Sequence, residues 1–74
     1  MLIVLPSTPT TEKASQFLST LEIAHQVIPM PDTLGYKTGS DVGIYIEQGD
    51  WRTVPMALTQ AGFVVMRVFK DFTL

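Results

Sequence analysis

Two amphipathic helical stripes, set among four short β-branched segments that Pro and Gly residues bound, predict an α+β domain. In it, a four-stranded antiparallel sheet carries both helices on one face. The chain of 74 residues is short for a domain, so residues 1–74 are expected to form one unit around a single thin core.

Leu2 to Leu5 is an unbroken apolar run closed by Pro6, which suits a central strand covered on both faces and drawn over residues 1–6. Ser7-Thr8-Pro9 then offers a hydroxyl cap followed by Pro at the first helical position, where a missing N–H costs nothing. Ala14, Phe17, Leu18 and Leu21 recur at helical spacing and place the first helix over 9–22. Residues 24–29 form the second strand, with Val27 and Ile28 as its β-branched centre and Pro29 and Pro31 barring a helix.

From Asp32 to Asp41 the chain is polar and turn-rich, and it leads into a third strand in which Val42, Ile44 and Ile46 alternate with Gly43, Tyr45 and Glu47. A second helix carries the stripe Val54, Ala57, Leu58 and Ala61, with Gly62 as its left-handed terminator and Asp50 or Thr53 as its cap. Pro55 favours Thr53, because the proline then falls in the first turn. In the fourth strand, residues 63–69, strict alternation sends Phe63, Val65 and Phe69 to one side and Val64, Met66 and Val68 to the other. The resulting order, βαββαβ, is the ferredoxin-like arrangement.

Composition narrows the function classes. A 46% apolar fraction with 16% charged residues argues for a folded chain, and five scattered basic residues in a net charge of −2 make no patch for nucleic acid. No apolar run reaches the length of a membrane span, and the opening segment stops at Pro6 without a basic flank, so a cytoplasmic protein is expected. Without Cys, and with His25 as the only imidazole, neither a metal site, a cofactor nor a Ser/His/Asp set is indicated. His25 reads as a polar residue at a strand edge, and Trp51 and Tyr36 read as packing aromatics before anchors for a partner.

Two surfaces remain. Helices can cover only one sheet face, so the apolar set Val64, Met66 and Val68 would leave an open face suited to self-association or to an unknown protein partner. The second is the loop between strands two and three, with Pro31, Gly35, Tyr36, Lys37, Thr38, Gly39, Ser40, Asp41 and Gly43 as candidate binding residues. Its glycine-flanked amides could hold a small molecule or an anion, or the segment could be a pliant connector. Gly35 to Gly39 lacks the Gly-Lys-Ser/Thr order and following helix of a phosphate loop.

The segments Leu5-Pro6-Ser7, Val27-Ile28-Pro29-Met30-Pro31 and Ser40-Asp41-Val42-Gly43-Ile44 resemble, over nearly the whole chain, small proteins described as selenium/sulfur carrier-like. That resemblance implies the βαββαβ fold and the loop between strands two and three as the working end. It also implies a Cys-Gly pair opening the third strand, whose thiol is the supposed carrier atom. Here Val42-Gly43 occupies the place, so the resemblance implies a carrier-like protein without its thiol. The leading expectation is a non-enzymatic, self-associating interaction module. A ligand-binding regulatory domain and a degenerate carrier are the alternatives.

Overall fold

A computed structural model describes residues 1–36, 38–47 and 52–74. Four strands and two helices follow the expected order: β1 (Leu2–Val4), α1 (Thr8–Thr20), β2 (Gln26–Pro29), β3 (Val42–Tyr45), α2 (Thr53–Gln60) and β4 (Arg67–Phe69). The strands form one antiparallel sheet in the order β2-β3-β1-β4. This is the ferredoxin-like α+β fold, with β1 and β3 central and β2 and β4 at the edges.

The helix-side core joins Met1, Ile3 and Leu5 around β1, Ile44 and Ile46 around β3, Ala14 and Leu18 of α1, and Val54 and Leu58 of α2. Alternation along β1 sends Leu2 and Val4 to the opposite face, where they are equally buried. The buried stripe of α1 is Thr11, Ala14 and Leu18, one turn earlier than the sequence pattern suggested. Leu21 lies beyond the last turn as the C-cap and is 48% exposed, because the chain has already begun to leave the helix there.

Ser7 caps α1, its Oγ accepting from the Thr10 N–H at 3.2 Å, so the helix begins one residue earlier than expected and Pro9 is its second residue. The start of α2 differs: the cap is Arg52, in helical conformation and without a side-chain cap bond, and Thr53 is the first helical residue. Asp50 lies outside the described residues. Both helices end alike. The Ile23 N–H donates to the Leu18 carbonyl and Glu22 to Ser19, while Phe63 donates to Leu58 and Gly62 to Thr59. Each is a Schellman turn with an apolar residue after the turn packed on the same core. The left-handed position is Gly62 at φ 98° in one and Glu22 at φ 59° in the other.

The fourth strand is shorter than the alternating pattern implied. Arg67 pairs with Val4, yet the Met66 N–H also donates to the Val4 carbonyl at 2.8 Å, so two residues face one. That is a β-bulge, and it resets the alternation. Phe63, Val65 and Val68 pack toward the helices, whereas Phe69 packs on the far face. Val68 therefore does not share a side with Val64 and Met66, and Phe69 does not share one with Val65.

Two stability outcomes follow. Leu18→Ala should remove roughly 2–5 kcal/mol in denaturant titration, since Leu18 is wholly buried where both helices meet the sheet. Glu22→Gly should add about 0.5–1 kcal/mol in the same measurement, by relieving a left-handed residue that carries a Cβ.

Candidate functional site

The described residues of the connection from Met30 to Asp41 pack on the sheet and bond to the start of α1. Asp32–Leu34 makes a single 3-10 turn that Gly35 ends at φ 63°. Leu34 and Tyr36 then reach back over the face opposite the helices and pack with Met30, Phe69 and Phe72 on Leu2, Val4, Ile28 and Tyr45. Tyr36 meets Phe69 edge-on at 5.9 Å, and Phe72 meets Tyr45 likewise at 5.9 Å. The Arg67 guanidinium lies over Tyr36 at 5.5 Å and over Phe69 at 5.0 Å. The expected open sheet face is thus covered by the chain itself, because the loop supplies the apolar layer that a third helix would otherwise provide.

The far end of the loop is stitched to the start of α1. Gly39 forms an isolated parallel bridge with Ser7, and a Cβ at Gly39 would stand 2.6 Å from the Pro6 carbonyl oxygen. Only glycine allows that approach. Ser40 is buried; its Oγ donates to the Val42 carbonyl at 2.6 Å, accepts from the Val42 N–H at 3.3 Å, and lies 3.0 Å from Thr11 Oγ1. Thr11 Oγ1 donates to the Ser7 carbonyl, the Ser40 N–H donates to Thr38 Oγ1, and the Asp41 N–H donates to Thr8 Oγ1. Among the described residues no buried side-chain N or O lacks a partner.

These bonds also decide what the loop can bind. Pro31, Gly35, Tyr36, Thr38, Ser40 and Asp41 line one open depression of about 440 Å³ with Met30 and Asp32. An anion would need free N–H donors, but those of Gly35, Ser40, Asp41 and Val42 are engaged within the protein. The two carboxylates at its wall, Asp32 and Asp41, instead suit a neutral or cationic group. Gly43 is not part of the depression. It is buried in β3, where a Cβ would stand 2.9 Å from Leu2 Cδ1 and 3.2 Å from Met30 Sδ. Lys37 and Trp51 lie outside the described residues.

Val42, at the position where the resembling family has its thiol, opens β3 with both backbone groups held by Ser40 Oγ. A hydrocarbon there supplies no nucleophile. Of the other candidate residues, Val68 lies in β4, and Val64 and Met66 lie in the segment that leads into it. Val64 and Met66 are 61% and 49% exposed, while Val68 lines a groove of about 550 Å³ with Arg52, Pro55, Met56, Thr59 and Lys70.

Several interacting residues escaped the sequence reading. Thr11 interrupts the apolar stripe of α1 in phase, which is a sign of a buried hydroxyl awaiting a partner, but Ser40 lies too far along the chain to be named from spacing. His25 directly precedes the edge strand β2, and its imidazole is hydrogen-bonded to Ser15 of α1, a partner that spacing does not reveal. Among the described residues no three His, Cys, Asp or Glu side chains group to hold a metal ion, and no helix is long and apolar enough to cross a membrane. In comparisons with known proteins, no family model matches the chain, and neither a curated protein nor a solved structure matches it.

Replacing residues 33–39 by a tight Asn-Gly turn is expected to destabilise the protein by about 2 kcal/mol. It removes Leu34 and Tyr36 from the far-face cluster, where both are half-buried and each contributes part of the roughly 1.5–3 kcal/mol of a fully buried side chain. A mere connector would lose far less, because closure entropy varies weakly with loop length. Urea unfolding of the two forms distinguishes these outcomes.

Proposed function

We propose that this chain is a non-enzymatic interaction module that self-associates through its outer strand. The observation that carries this reading is the exposure of Val64 and Met66 on one side of residues 64–68, with the Pro55, Met56 and Val68 groove on the other. Val64, Met66 and Met56 are the more exposed apolar side chains near this edge, against Val27 alone on β2, and burying such surface adds the stability that a thin core lacks.

The opposite edge suits association less well. Pro29 offers no N–H along β2, whereas β4 contains no proline. Charges at Arg67 and Lys70 discourage open-ended strand addition at β4, which favours a closed pair held by side chains. A two-fold pair that sets Val64 and Met66 of one copy against the same residues of another satisfies both constraints.

A small cationic or neutral ligand in the depression beside Asp32 and Asp41 is a second reading, supported by the inward-turned amides and the two carboxylates. Occupancy would raise the thermal midpoint, with a stabilisation that grows as the logarithm of ligand concentration over Kd once the site fills.

Light scattering at roughly tens of micromolar protein should give the mass of a dimer. The double variant Val64→Glu, Met66→Glu should weaken association by about tenfold or more, with circular dichroism unchanged, since each side chain contributes on the order of 1.5–3 kcal/mol when covered. A strictly monomeric native protein would overturn the reading.

A further inference from the structure

A side-chain pair joins α1 to the start of β2, away from both the loop depression and the outer strand. Ser15 Oγ lies 2.6 Å from His25 Nε2, and His25 Nδ1 lies 2.8 Å from the Ile23 carbonyl oxygen. A carbonyl can only accept, so Nδ1 carries the hydrogen. In the neutral ring Nε2 is then the acceptor, and the Ser15 hydroxyl donates to it. The order is nucleophile, base and orienting group, with a main-chain carbonyl in the place a carboxylate often takes.

The orienting carbonyl is itself held. Ile23 belongs to the Schellman turn that ends α1, its N–H bonded to the Leu18 carbonyl at 3.0 Å and its side chain packed on the helix-side core. Ser15 is fixed on the middle of α1, so helix, turn and strand set the dyad together. Both side chains are half-buried, and a depression of about 280 Å³ lined by Ala24, His25, Gln26, Tyr45 and Glu47 opens beside the imidazole. The bond at Nδ1 fixes both the tautomer and the orientation of the ring. The result is a base lone pair aimed at a hydroxyl.

We propose that Ser15 is a nucleophile activated by His25 and that it accepts an acyl group from activated esters. The Ser15 Oγ forms a bond to the acyl carbon while its proton passes to His25 Nε2. The bond from that carbon to the leaving oxygen breaks, the leaving group departs as an anion, and the acyl group remains on Ser15 as an ester. Donors whose leaving group is a stabilised phenolate suit a site with one base, since their departure needs no proton. The site shares no residue with the self-association surface, so the two ideas stand or fall separately.

The full chain incubated with p-nitrophenyl acetate tests this. One equivalent of nitrophenolate should appear, with a single acetyl group found by peptide mass spectrometry on Ser15. Ser19, exposed on the same helix, serves as the internal control and should react at least about 100-fold more slowly, the low end of a general base's contribution. Ser15→Ala should abolish that label, and His25→Gln should slow it by a similar factor when each variant is assayed well below its own thermal midpoint. Acetylation of Ser15 no faster than Ser19, label on His25 in place of Ser15, or an undiminished rate in His25→Gln would each overturn the proposal. Because the Ser15 and Ser19 comparison is made within the native protein, it decides the matter even if a variant fails to fold.

Discussion

β1 is buried on both sides, and the other elements are arranged around that constraint. Met1, Ile3 and Leu5 face the helices while Leu2 and Val4 face away, and all five are inaccessible or nearly so. A two-layer fold with two helices can satisfy only one of those sets. The second set needs a cover that the element order does not contain, and the chain makes it from the β2–β3 connection and the segment after β4. Leu34 and Tyr36 come down from one side, Phe69 and Phe72 from the other, and Tyr45 fills the middle. The unusual length of the connection is therefore a packing requirement before it is a recognition device.

A loop used as a layer must be fixed at both ends, or its entropy would offset the burial it brings. The Met30 N–H donates to the Asp41 carbonyl and so ties the loop's two ends together, and the hydroxyls of Thr8, Thr11, Thr38 and Ser40 fasten the far end. They sit where β1 passes into α1, next to the one place where Gly39 lets two backbones touch. The same bonds consume the amide donors that would otherwise have made the loop an anion cradle. Structural duty and ligand chemistry thus compete for the same groups, and Asp32 and Asp41 are the charged residues, among those described, that line the depression.

Much of the architecture is legible from local rules, because the relevant forces act within a few residues. The Ser7 cap, Pro9 in the first turn, Gly62 after α2 and the apolar run of β1 each announce themselves. The misread features depend on contacts distant in sequence. Leu21 fits the helical period and fails only because the chain turns at Glu22 to bring Ile23 onto the core. Val68 fits a strict alternation and fails because a bulge at Met66–Arg67 shifts the phase against Val4. Of the candidate loop, six residues converge on the depression, whereas Gly39 and Gly43 serve close packing. Neither the Thr11–Ser40 contact nor the Ser15–His25 pair has a signature in spacing, since each joins residues that only the fold makes neighbours.

The two βα halves share a plan and divide its labour. Ala14 and Val54, Leu18 and Leu58, and Ile23 and Phe63 take matching places against the sheet, and both helices close with the same turn. Around that shared frame the halves differ in polarity. The first half has Thr11 in its buried stripe and His25 paired to its own helix through Ser15, so its strand enters the sheet under polar control. In the second half Val65 packs on the core where the first has His25, and Val64 and Met66 flank it with apolar surface. Polar groups that bond one another need no outside partner, whereas exposed apolar side chains gain by being covered. The same frame accordingly places a hydroxyl–imidazole pair beside β2 and the exposed Val64 and Met66 beside β4.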